Sequence, residues 1–93
     1  MLCHYTFIMP YIKQSDREKF DNILKDFKVI SKDLTAGDLN YLISRMLWGL
    51  FDDNRSYTKA NELMGVLECV KQEFYRRKAV PYEEEKIEEN GDI

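Results

Sequence analysis

Four basic side chains, Lys71, Arg76, Arg77 and Lys78, fall within eight positions, with Tyr75 among them. Guanidinium groups grip phosphate oxygens through paired N–H donors, and an aromatic ring can stack on a base. The cluster therefore has the chemistry of an anion site, with Tyr75, Arg76 and Arg77 as contacts for a phosphorylated small molecule. The same residues also have plainer uses. Cations are favourable at the negative end of a helix, and the acidic run beyond Pro81 offers carboxylates for salt bridges. A nucleic-acid surface is the weakest of these readings, because four cations on one stretch fall short of a basic face and the whole chain carries a net charge of -3.

Two further groupings could do chemistry. Asn61, Gly65, Glu68 and Gln72 recur at steps of four, three and four, which makes a polar helix stripe interrupted by a glycine. A mid-helix glycine costs about 1 kcal/mol relative to alanine, so Gly65 points to close approach by a backbone or a ligand, with Asn61 and Glu68 beside it. Asp38, Glu62 and Glu68 could hold a magnesium ion if they converged between helices, and such an ion would polarise phosphate oxygens. With 17 acids in the chain, solvated or ion-paired roles suit these three better. Cys3, Cys69 and the lone His4 stand at no zinc-ligand spacing, and neither a disulfide framework nor a resident cofactor is expected.

The elements that would carry these residues are helices. Ser15-Asp-Arg-Glu18 has the form of a capping box, and Phe20, Ile23, Leu24, Phe27 and Ile30 follow on one apolar stripe, predicting a helix over about 15–30 with one buried side. Thr35-Ala-Gly-Asp38 opens a second helix over about 36–51. Leu39, Tyr41, Leu42, Ile43, Met46, Leu47, Trp48, Leu50 and Phe51 make that helix apolar nearly all round. One small subunit cannot cover it on every side, so the excess at Trp48 and Phe51 predicts a contact between subunits, unless the N-terminal segment lies over it. Ser56 caps a third helix over about 57–78, where Ala60, Leu63, Leu67, Val70 and Phe74 form a heptad-like seam and Pro81 is the expected stop. The expected fold is all-α, a three-helix bundle with a short extended N-terminal segment and an acidic C-terminal tail or short helix.

Ninety-three residues suffice for one domain, with residues 1–12 as an N-terminal segment, 13–80 as the helical domain and 81–93 as the tail. Apolar residues make up 44% and charged residues 33%, a globular composition. The charge is segregated: six acids against Lys86 give residues 82–93 a charge of -5, which leaves the preceding 81 residues at +2. No run is long and apolar enough for a membrane span, and the start lacks the features of a signal peptide, so a cytoplasmic protein is expected. Residues 1–8 read either as a short strand lying on the body or as an upstream extension before Met9-Pro10.

As an ordered set, Met9-Pro-Tyr-Ile, Gly37-Asp-Leu-Asn-Tyr-Leu-Ile43, Ser56-Tyr57 with Asn61-Glu62, Gly65-Val-Leu-Glu-Cys69, Glu73-Phe-Tyr-Arg-Arg77, Pro81-Tyr-Glu-Glu, Lys86-Ile and Asn90-Gly-Asp92 resemble a family of small bacteriophage and bacterial proteins of unknown function. The resemblance spans about residues 9–92 and implies a chain that starts at Met9, in a phage setting inside the bacterial host cell. Nucleotide metabolism, host takeover or counter-defence would suit that setting. A second similarity, to the all-α nucleotide pyrophosphohydrolases, fails on their Glu-Glu-x-x-Glu helix motif, which has no counterpart in helices two and three. The sequence therefore points first to a helical binding module without a catalytic constellation, homo-oligomeric, engaging a host protein or a phosphorylated small molecule. A magnesium-dependent nucleotide pyrophosphohydrolase and a weak nucleic-acid binder are the alternatives.

Overall fold

The computed structural model describes residues 12–93. The expected N-terminal strand or extension, together with Cys3, His4 and Met9-Pro10, lies outside the described residues. Within them the chain is all-α, with no strand: α1 Asp21–Ile30, α2 Ala36–Asp53, α3 Tyr57–Phe74 and α4 Val80–Asn90, the last two joined without a break by a π-helical turn at Tyr75–Ala79.

Local chemistry sets the helix starts. Thr35 is extended, with φ -89° and ψ 169°. Its hydroxyl accepts from the Asp38 backbone N–H at 3.0 Å while the Asp38 carboxylate accepts from the Thr35 N–H at 3.1 Å, a reciprocal capping box at the head of α2. Ser56, also extended, accepts from the Lys59 N–H at 3.0 Å and starts α3. The expected box at Ser15 and Glu18 does not form. Ser15 sits inside a 3-10 turn at Gln14–Asp16, and a second such turn follows at Glu18–Phe20, so α1 begins only at Asp21 without a side-chain cap. A capping residue needs extended backbone angles, which a residue inside a turn cannot adopt. Arg17 instead reaches back to the Ile12 carbonyl, with Nη2 at 3.2 Å and Nε at 3.3 Å.

The far end of the third helix also differs from expectation. Pro81 does not stop it. The Val80 N–H donates to the Tyr75 carbonyl, five residues back, and the wider turn delivers Pro81 to the first turn of α4. A proline there lacks the N–H that would continue the ladder, and its place in the first turn of α4, after the wide turn, is one where that loss is tolerated. The tail is therefore helical to Asn90, where Gly91 at φ 87° ends it and donates its N–H to the Ile87 carbonyl at 2.8 Å. From Tyr57 to Asn90 the rod is about 50 Å long at 1.5 Å per residue, matching the 50 Å long dimension of the molecule.

Among the described residues α2 packs against α3, whereas α1 approaches neither α2 nor α3 closely. The radius of gyration is 16.4 Å, against about 12 Å for a compact chain of this length. Only Gly65 and Cys69 of the described residues are buried. The apolar stripe of α1 is open to solvent, with Ile23 65% and Leu24 62% exposed, because no other described element lies against it.

Candidate functional site

The seam Ala60, Leu63, Leu67, Val70 and Phe74 was expected to be the inner face of α3; its first three residues are half-buried and its last two exposed, and the deepest burial lies elsewhere. Gly65 and Cys69, one turn apart, are the buried positions, and helical geometry sets them on the far side of α3 from that seam. Leu63 and Leu67 are half-buried, while Val70 is 58% and Phe74 64% exposed. Gly65 thus has the burial that its cost in a helix interior foreshadowed.

Asn61, Gly65, Glu68 and Gln72 do share one face, as their spacing requires. Asn61 and Glu68 are exposed. Glu68 accepts from Gln72 Nε2 at 2.9 Å and pairs with Lys71 Nζ at 3.5 Å. The hydrogen bond from Gln72, then the charge of Lys71, hold its carboxyl below the usual carboxylate range. Glu68 and Gln72 of the polar stripe are thus paired along their own helix.

The basic cluster is organised in the same local way. Glu73, which the sequence did not single out, accepts from both arginines: Arg76 Nη2 bonds one carboxylate oxygen and Arg77 Nη1 the other, the latter at 3.2 Å. The Arg76 hydrogen bond is the main reason that the Glu73 carboxyl lies below its ordinary range, with Arg77 adding to it against a partial loss of solvent. Its i+3 and i+4 spacing from two arginines was the readable signal. Tyr75 is exposed beside them. The acidic segment does not fold back on this cluster, because α4 continues the line of α3. Among the described residues Glu89 is the one acid of that segment in an ion pair, with Lys86 at 3.2 Å.

The three carboxylates considered for magnesium are held apart. Asp38 is committed to the α2 capping box, Glu62 pairs with Lys59 at 3.4 Å, and Glu68 with Lys71. No group of three His, Cys, Asp or Glu side chains placed to bind a metal exists among the described residues.

The remaining surface is apolar. Trp48 is 61% exposed and Phe51 half-buried, with Met46 and Leu50 exposed on the same helix. No described helix is long and apolar enough to cross a membrane. The chain matches the domain of unknown function DUF6899 over residues 9–93. It belongs to that family. No curated protein and no solved structure matches the chain. The surface of this DUF6899 domain carries open apolar faces on α1 and α2, and a long charged rod.

Proposed function

We propose that this domain is an α-helical interaction module that acts as a homo-oligomer, the apolar faces of α1 and α2 being closed by a second copy of the chain. One observation carries the reading: Cys69 is the single buried hydrophobic side chain among the described residues, while Ile23, Leu24, Ile30, Met46, Trp48 and Leu50 each remain more than half exposed. Covering what these six expose is worth on the order of 5–10 kcal/mol, as much as the entire stability of a typical small domain. Association itself costs about 4–15 kcal/mol, so the faces must close together rather than singly.

Sedimentation equilibrium combined with thermal unfolding tests this. A homo-oligomer has a mass that is a multiple of 11.1 kDa at tens of micromolar, and its midpoint rises with protein concentration because only the folded state associates. A strict monomer with a concentration-independent midpoint would remove the reading.

A further inference from the structure

The charge along the third rod is ordered in a way that α1 and α2 do not share. Its middle carries Lys71, Arg76, Arg77 and Lys78, and its end carries Glu83, Glu84, Glu85, Glu88, Glu89 and Asp92 against Lys86. The two blocks follow one another along a continuous helical run, and α4 makes no contact with α3 beyond the π turn, so the acidic block does not fold back onto the basic one. Within the rod, the cations draw on Glu68 and Glu73, upstream of the acidic block.

An apolar line runs through both blocks. Val70 and Phe74 are exposed on the side of α3 away from Gly65 and Cys69. Beyond them the π turn at Tyr75–Ala79 holds one residue more than an α-turn would, since its hydrogen bond spans five residues. Tyr82 stands eight residues after Phe74, and with the extra residue absorbed that spacing becomes two regular turns. The π turn thus brings Tyr82, itself 58% exposed, onto the Val70–Phe74 line. Without it the acidic block would be rotated by about 100° away from that line.

We propose that two copies pair antiparallel along this line, crossing near Val80, so that Lys71–Lys78 of each copy lies against Glu83–Glu89 of the other. The pairing rests on the homo-oligomer reading and adds to it a second contact, along the rod rather than over the α1 and α2 faces. Charge decides the orientation: a parallel pair sets acid on acid and base on base, whereas the antiparallel pair matches opposite charge at both ends of a two-fold contact. Val70, Phe74 and Tyr82 form the apolar seam between the charged flanks. Glu83, Glu84, Glu85 and Glu88, which make no ion pair among the described residues, are acids this contact would satisfy, with Glu89 shared between Lys86 and the second copy.

A charge swap tests it. The variants Arg77→Glu/Lys78→Glu and Glu85→Lys/Glu89→Lys change exposed helical positions, and circular dichroism checks that each remains helical. In low salt each variant alone should associate at least about tenfold more weakly than the unaltered protein, and an equimolar mixture of the two should return to within about threefold of it, because each then supplies the charge that the other needs. An unaltered protein that associates while both variants do so equally well would overturn the antiparallel pairing and leave the homo-oligomer standing; the acidic block would then be free for a basic partner of another kind. Variants that are weakened but not rescued by mixing would also overturn the pairing. An unaltered protein that stays monomeric would overturn both.

Discussion

The two halves of this molecule are stabilised in opposite ways. From Tyr57 onward the rod is laced by side chains three and four residues apart: Lys59 with Glu62, Glu68 with Lys71 and Gln72, Glu73 with Arg76 and Arg77, Lys86 with Glu89. Helices α1 and α2 contain none of the ion pairs found among the described residues, and they expose large apolar side chains instead. Exposed pairs stabilise a helix through its own sequence, and each is weak. Apolar faces contribute only when something covers them, and then strongly. On the proposed reading the first half of the chain would draw its stability from association, while the rod carries its own helical support and offers a charge pattern that would orient it.

This contrast can be broken at its apolar end first. Leu24→Asp and Trp48→Asp, each placing a charge on a face that the proposed oligomer would cover, should dissociate the protein and lower its thermal midpoint, with losses of about 2–3 kcal/mol or more per site. The same change at Val29, 78% exposed on the opposite side of α1, should have little effect. Light scattering and thermal unfolding measured on all three read the difference.

Removing a cap has the next largest effect. Thr35→Ala, which takes away the side chain that closes the α2 box, should cost about 1 kcal/mol, and Ser56→Ala at the start of α3 a similar amount. Because α3 has its own lattice of side-chain pairs, the Ser56 variant should keep more of its helicity at low protein concentration than the Thr35 variant, as circular dichroism would show.

Acid titration should give the smallest change, and it belongs to the rod. Glu68 and Glu73 have carboxyls lowered in the folded chain. The unfolded chain therefore binds protons at a pH where the folded one does not, and the stabilisation is complete above the ordinary carboxylate range of about 4.3 and is lost as the pH falls through the folded values. Helicity of the α3 end should decline over that acid range, and Glu73→Gln should flatten the decline. Both responses should shrink in 1 M salt, since these pairs are exposed.

Features controlled by a few neighbouring residues were legible in the sequence. The starts of α2 and α3 could be read because Thr35, Asp38 and Ser56 act within three positions of themselves. The all-α class followed from apolar periodicity, and the burial of Gly65 from its cost in a helix interior. The Ser15 box shows the boundary of such reasoning: the residue types were right, but the backbone around Gln14–Phe20 turns in 3-10 fashion and takes Ser15 out of capping geometry. At Pro81 the sequence offered a stop signal with no turn residues around it; Ala79 and Val80 continue a helix readily, and one wide turn absorbed the proline. The site was less legible than the fold. The basic cluster and the polar stripe could be read by residue type, but Glu73, which binds two of the arginines, entered only as part of a family segment and not as a site residue, one acid among 17. The outward placement of Val70 and Phe74 depends on which side of α3 is covered, and periodicity alone does not say which face of a helix meets the interior.

The chain has one tryptophan, and it lies on the face that assembly is proposed to close. Trp48 fluorescence followed on dilution from tens of micromolar to nanomolar, with the mass monitored in parallel, is the direct measurement. The account predicts a blue-shifted emission at high concentration that moves to the red over the same range in which the mass falls to 11.1 kDa. An emission maximum that stays red at every concentration, from a folded chain of monomer mass, would contradict it.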